Sequence, residues 1–364
     1  MSESPYLPIF ELTRGEIVES IHYGAVAVVD AEGRLVASYG DPDAVTYLRS
    51  SAKPFQALPL FENGGVETYH LTPREIALIC ASHSGTDEHV SVVQGIQAKT
   101  GVKESDLLCG THTPSHQPTA EALRQRGKKP TPNRHNCSGK HTGMVAFARM
   151  RGQPTADYIN PAHPVQQEIL KTFAEMCGVT PDQVKVGIDG CSAPNFAVPL
   201  RSAALAYARL CDPRGLEAKR AQACRAITAA MTTNPDMVGG PDSFDTHLME
   251  TAFGRIVCKG GAEGYQALGV FAGARGRQSP GLGIAIKISD GDLAGHSRQA
   301  GDHRGHARPA VTLEILHQLG VISPTELIAL AEYGPTFPVN NWRKIIVGQA
   351  RPCFKLQLNS QQPS

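Results

Sequence analysis

Apolar and polar positions alternate along residues 17–29 and again along 34–39. The Asp30-Ala31-Glu32-Gly33 link between them has the turn chemistry of a hairpin, so the pattern predicts two antiparallel strands. Beyond them, Thr72-Pro73-Arg74-Glu75 reads as an N-cap with proline at the first helical position, opening a helix towards Cys80. A second helix is expected from Thr86-Asp87-Glu88 to near Gly101, with its acids at the positive end of the dipole. Residues 118–126, 140–151, 163–177, 198–211 and 215–232 also read as helices, several of them closed by glycine. Strand patterns return at 255–259, 266–270 and 283–287, followed by helices from about residues 308 and 324. Strands at both ends around a helical middle predict an α+β fold with no internal repeats. Its antiparallel sheet comes from both chain ends, with a sheet lobe over about 1–60 and 250–364 and a helical lobe over about 61–249.

Within this pattern stands Ser50-Ser51-Ala52-Lys53, after an apolar stretch and before Pro54-Phe55-Gln56-Ala57-Leu58, where a short buried helix limited by Pro59 is expected. Residues three apart on a helix are neighbours, which pairs Ser50 with Lys53 and leaves Ser51 aside. A serine alcohol becomes a nucleophile only beside a base, and lysine is a base only when burial or another cation lowers its pKa. Lys259 is the candidate second cation. The plainer reading of Ser-x-x-Lys alone is a capping serine beside a solvated lysine. In the same way Ser82, within Ala81-Ser82-His83-Ser84-Gly85, is either a second hydroxyl of the site or a helix-end cap.

Composition narrows the class. At 364 residues the chain can bury a large core, and 35 basic against 34 acidic residues give a net charge of +1, with no support for a nucleic-acid or membrane surface. No apolar run approaches a spanning helix, and Met1-Ser2-Glu3-Ser4-Pro5 lacks the features of a signal peptide, so a cytoplasmic protein is expected. Nine cysteines are too sparse for a disulfide framework. Cys80, Cys109, Cys177, Cys211, Cys224, Cys258 and Cys353 read as reduced thiols in apolar or helical contexts, whereas Cys137 and Cys191 sit in Gly- and Ser-containing loop signals.

Six segments in order carry a resemblance: Val18-Glu19-Ser20-Ile21-His22-Tyr23-Gly24, Arg49-Ser50-Ser51-Ala52-Lys53, Cys80-Ala81-Ser82-His83-Ser84-Gly85, Asn136-Cys137-Ser138-Gly139-Lys140-His141-Thr142-Gly143-Met144, Asp189-Gly190-Cys191-Ser192-Ala193-Pro194 and Lys259-Gly260-Gly261-Ala262-Glu263-Gly264. Together they resemble the rhizobial-type, or class 3, L-asparaginases, whose fold is similar to that of serine β-lactamases and glutaminases. The resemblance implies hydrolysis of the L-asparagine side-chain amide to L-aspartate and ammonia through a seryl ester, and a homodimer. It implies two Ser-Lys pairs, with Ser50 as nucleophile and Lys53 as its base, and with Ser82 and Lys259 relaying protons; the opposite assignment of the serines stays open. It also implies a zinc site made by Cys137, Lys140 and Cys191 with a water completing the tetrahedron. Asp189 and His141 then orient ligands or touch substrate, and Arg49 is either an anchor for the substrate carboxylate or a salt-bridge partner. Asn234-Pro235-Asp236-Met237-Val238-Gly239-Gly240 is expected to be a loop beside the site.

One stretch departs from the family pattern. Residues 291–308 carry His296, His303 and His306 in a longer connection, which reads as a mobile surface loop or a metal-binding tract. Two rival functions stand beside the asparaginase reading. A β-lactamase or penicillin-binding-type serine hydrolase is disfavoured by the Cys137, Lys140, Cys191 set and the cytoplasmic reading. A non-catalytic zinc-binding protein on the same fold is disfavoured by the joint presence of Ser50, Lys53, Ser82 and Lys259.

Overall fold

The computed structural model describes residues 4–292 and 306–359. His296 and His303 of the expected histidine-containing connection lie outside the described residues. The chain divides into two compact units, one of Met1–Leu48, Val198–Asp212 and Gly260–Ser364, the other of Arg49–Ala197 and Pro213–Lys259.

The first unit is built on an antiparallel sheet drawn from both chain ends. Its strands run in the order Phe337–Asn340, Ile346–Pro352, Leu7–Arg14, Ile17–Asp30, Leu282–Ile288, Tyr265–Val270, and Leu35–Tyr39 pairs with both Ile17–Asp30 and Gln357–Leu358. The expected hairpin is present, with Val26 opposite Tyr39 and Gly33 N–H closing the turn on Asp30 O at 3.1 Å. Every residue of Tyr265–Val270 and all but Lys287 of Leu282–Ile288 are buried, so these central strands are covered on both faces. One cover is the helix Leu200–Cys211, which lies directly on the sheet because Gly283 has no side chain: a Cβ there would sit 1.7 Å from Ala204 O. This helix therefore belongs with the strands, whereas residues 49–60 and 250–259 belong with the helical unit, a division that differs from the expected one near 60 and 250.

The second unit packs the helix Lys53–Glu62 against Ser138–Met150, Pro164–Cys177 and Ala218–Thr233. Nine of its ten residues are buried, Phe55 and Leu58 completely. Each such side chain contributes about 1.5–3 kcal/mol relative to exposure, so the segment is fixed by its packing although Pro59 interrupts its bonding. The edge of Phe55 meets Phe173, which stacks on Phe196 at 4.8 Å. The predicted caps hold: Thr72 and Glu75 form a capping box ahead of Pro73–Ile79, and Thr86 caps Asp87–Thr100, which ends at left-handed Gly101.

The expected loop at 234–240 is instead a short helix, Pro235–Gly239, because Pro235 supplies the preset φ of a first helical turn and Gly240, at φ 102°, ends it. Several elements were not foreseen: the strands Leu7–Arg14, Phe337–Asn340 and Ile346–Pro352, the hairpin Lys185–Ile188 with Pro194–Pro199, and the helix Phe244–Thr251. Among the described residues, no helix is long and apolar enough to cross a membrane.

Candidate active site

Ser50, Lys53, Ser82, Cys137, Lys140, His141, Asp189, Cys191, Lys259 and Arg49 all belong to the helical unit. A 3-10 turn over Arg49–Ala52 feeds the helix Lys53–Glu62 without a break. Arg49 enters that turn at φ 51°, a left-handed conformation that costs a side-chain-bearing residue about 1–3 kcal/mol. The neighbours that hold it there are visible: its N–H donates to Asn195 Oδ1 at 3.1 Å, and its guanidinium meets Asp189 Oδ1 through Nε at 3.0 Å and Nη2 at 2.9 Å. Of the two adjacent serines, Ser51 is completely buried and donates to Lys259 O at 2.6 Å, while Ser50 stays partly accessible.

Lys53 is 1% exposed, and its Nζ donates to Ala81 O at 2.6 Å and Asn136 O at 3.3 Å while lying 2.8 Å from Ser82 Oγ. Ser82 is half-buried, with its N–H fixed on Val238 O at 2.9 Å. The hydrogen bond from Lys53 to a serine therefore runs to Ser82, not to Ser50 as the sequence pairing expects. Lys259, also 1% exposed, places Nζ 3.8 Å from Asp245 Oδ2. Both lysines bear on the buried Cys80: burial pushes its thiol up, and Lys259 and Lys53 hold it partly back. Next to Ser82, His83 is kept neutral by burial and by nearby His89 and Lys53. Its Nδ1 accepts Gly85 N–H at 3.1 Å, which assigns the proton to Nε2, 2.8 Å from Ser138 Oγ.

Cys191 is presented by the loop of the hairpin Lys185–Ile188 and Pro194–Pro199, tied by Asp189 N–H to Ala193 O at 2.9 Å and Ser192 N–H to Asp189 O at 2.9 Å, with Ser192 at φ 69°. Cys137 stands in the turn that leads into the helix Ser138–Met150, and Lys140 follows in the first turn of that helix. That helix approaches Pro73–Ile79 closely because Gly139 is bare; a Cβ would sit 2.3 Å from Leu78 O. Cys137, Lys140 and Cys191 are 4%, 3% and 3% exposed, and Lys140 Nζ lies 3.1 Å from Cys191 Sγ. A hydrogen bond from Cys191 holds the Cys137 thiol well below its ordinary range against the opposing effect of burial, helped by Lys53 and Lys140. Burial alone would lower the Lys140 ammonium, but Cys191, Cys137 and Asp189 outweigh it and push it up. His141 is pushed down to about 4 by burial, against the opposing effect of a hydrogen bond with Cys191, and its Nδ1 meets Tyr158 O–H at 2.6 Å. Asp189, which burial would raise, is held low by Lys140 and Arg49.

Two soft thiols and the Lys140 nitrogen gathered in one dry corner, beside the His141 imidazole, fit zinc on condition that the metal displaces the ammonium proton. Among the described residues, no group of three or more His, Cys, Asp or Glu side chains forms a metal cluster, so the fit depends on Lys140.

Residues 10–352 match the family model described as L-asparaginase II. The chain belongs to that family. It is accordingly an amidohydrolase acting on a small molecule. Similar solved structures include the Bacillus subtilis glutaminase YbgJ in covalent complex with 5-oxo-L-norleucine, at 10% identity and a TM-score of 0.38, covering 82% of this chain and 88% of that one. A Bacillus glutaminase in 4.3 M NaCl is similar at 11% identity and a TM-score of 0.39, covering 82% of this chain and 91% of that one. No curated protein matches the sequence.

Sequence reasoning missed Asn195, which holds the strained backbone of Arg49, Asp245, which faces Lys259, and Tyr158, which orients His141. Asn195 follows the Asp189–Pro194 motif directly, and its proximity to that motif is the one signal that could have found it.

Proposed function

We propose that this member of the L-asparaginase II family hydrolyses the side-chain amide of L-asparagine, releasing L-aspartate and ammonia through a seryl ester. The observation that carries this reading is the buried Lys53 Nζ, which divides itself between two backbone carbonyls and the Ser82 hydroxyl. Ala81 O and Asn136 O fix two donor directions of Lys53 Nζ, and the third meets Ser82 Oγ, the one of these three partners that can exchange a proton with it. Ser50 attacks the amide carbon, and its proton passes through Ser82 Oγ to Lys53. The tetrahedral intermediate collapses with cleavage of the C–N bond, and the same proton leaves with ammonia. Water then adds to the ester, its proton goes to Lys53, and the C–O bond to Ser50 breaks as Ser50 recovers a proton and aspartate departs. One water is consumed for each ammonia released.

Arg49 and Asp189 offer a guanidinium and a carboxylate to the α-carboxylate and α-amine of the substrate, and His141, next to Cys191, is a further polar group for it. Cys137, Lys140 and Cys191 would hold zinc, which when bound supplies a fixed positive charge that orients the polar groups of the substrate. A second reading, favoured by the 2.8 Å bond between Ser82 Oγ and Lys53 Nζ, makes Ser82 the attacking group.

Ammonia release from L-asparagine and L-glutamine, followed in the wild-type, Ser50→Ala and Ser82→Ala proteins, tests the reaction and the nucleophile together. Peptide mass analysis after treatment with a diazoketone analogue of asparagine is expected to find the adduct on Ser50. Wild-type turnover by Ser50→Ala with the adduct on Ser82 selects the second reading, and absence of release from either amide removes the first.

A further inference from the structure

The helix Phe244–Thr251 opens behind Ser243, whose Oγ accepts Thr246 N–H, and it carries Asp245 in its first turn, where the dipole favours an ionised carboxylate. Asp245 is 7% exposed. Its Oδ1 accepts the Cys258 thiol at 3.4 Å, and its Oδ2 lies 3.8 Å from Lys259 Nζ. The backbone of Lys259 is fixed by Ser51 Oγ on its carbonyl at 2.6 Å, so the side chain starts from an anchored point. Titratable groups that bear on this region include Cys80 and Cys258, both buried thiols, and Lys53, which shares Cys80 with Lys259.

We propose that Asp245 is a positioning residue that holds Lys259 as an ammonium ion through the reaction cycle. An ammonium buried to this extent without a counter-ion loses its proton, because burial penalises the charged form. Asp245, itself buried, supplies that counter-ion. The partners of Lys53 are two carbonyls, the Ser82 hydroxyl and the Cys137 thiol, with no carboxylate among them. The two lysines therefore have different work: Lys259 contributes positive charge and N–H donors to the oxygen that becomes negative in the tetrahedral intermediate, and it is not the amine that takes up the serine proton. This division of labour rests on the amidohydrolase mechanism above, but the charge state of Lys259 does not.

The test follows the Lys259 side chain by NMR in lysine-labelled full-length protein, its signal assigned by its loss in Lys259→Met. Relative to wild type, Asp245→Asn is expected to lower the Lys259 titration midpoint by about 1–3 pH units. The alkaline limb of kcat/KM for ammonia release should move the same way, whereas Asp245→Glu, which keeps the charge, leaves both near their wild-type positions. An unmoved midpoint in folded Asp245→Asn overturns the proposal, even if turnover falls. Should that variant fail to fold, the wild-type titration decides, since a midpoint at or above the ordinary lysine value of about 10.4 supports the counter-ion and one below it overturns the proposal. If the wild-type protein releases no ammonia from asparagine, the asparaginase reading fails while the NMR midpoint still decides the role of Asp245.

Discussion

In the sheet unit, Asp292 accepts N–H bonds from Ala307 and Arg308, each at 2.9 Å, and faces His306 Nδ1 at 3.6 Å. In the helical unit, Lys53 spreads its bonds over Ala81 O, Asn136 O and the half-buried hydroxyl of Ser82. Both are buried ionisable groups with their bonding capacity filled, but the partners differ in kind. Asp292 caps the helix Ala307–Gln318 through two backbone N–H groups and pairs with His306 beside them, so all of its bonds serve the helix start. Lys53 instead meets an alcohol, that of Ser82, which remains partly accessible and can pass a proton on during a reaction. Burial alone does not separate a structural charge from a functional one; the identity of the last hydrogen-bond partner does.

The largest expected effect breaks that contrast if it is wrong. Lys53→Met should reduce ammonia release by about 10²–10⁴-fold, the usual contribution of a positioned base. It should also cost about 1–3 kcal/mol of stability, because Ala81 O is left without its donor. Asp292→Asn should leave turnover unchanged and lower only the melting temperature. Comparable loss of activity in both variants, read by ammonia release in proteins shown to be folded, would mean that the two charges play one role.

The contrast was partly legible in the sequence. Spacing set Ser51 aside, and Ser51 Oγ is indeed spent on Lys259 O, but the bond from Lys53 that spacing assigned to Ser50 runs to Ser82. The capping signals at Thr72 and Thr86 were read correctly because a cap is decided by residues within one turn. The partner of Lys53 was not legible, since Ser82 is 29 residues away and only the packed fold chooses between it and Ser50. The same holds for Asn195 and Asp245, single polar residues whose task is defined by a neighbour far along the chain. The strands Phe337–Asn340 and Ile346–Pro352 escaped notice because their exposed positions, Ile346 among them, blur the alternation that marks a half-buried strand.

A smaller effect concerns the thiol corner, where the acceptors around a buried lysine are sulfurs rather than carbonyls. Protein purified without chelator should carry a stoichiometric amount of zinc by elemental analysis, and Cys191→Ser and Lys140→Met should lose it. Zinc at about a hundred times its dissociation constant would add about 2.7 kcal/mol to the stability of the chelator-treated protein. An unchanged melting curve on adding zinc, with no metal in the purified protein, would reduce this corner to a pair of thiols held beside a lysine.

The smallest effect tests the structural half of the comparison through pH. Burial would raise the Asp292 carboxyl, but the bond with His306 and the N–H groups of Arg308 and Ala307 outweigh it and hold it low. His306 is raised, first by its hydrogen bond to Asp292 and against the effect of burial. The depressed acid contributes stability above its unfolded value of about 3.9, lost as pH falls through the folded one; the raised histidine contributes below its unfolded value of about 6.5, lost as pH rises through the folded one. The pair is therefore strongest between about pH 4 and 6.5. His306→Gln should cost about 0.5–1 kcal/mol near the lower-middle of that window and nothing well above it, where wild-type His306 is neutral and its pull on Asp292 is gone. Melting curves of both proteins across the range read this directly. A cost that persists undiminished at alkaline pH would show that His306 serves the helix start by packing, leaving the capping carboxylate to the two backbone N–H groups alone.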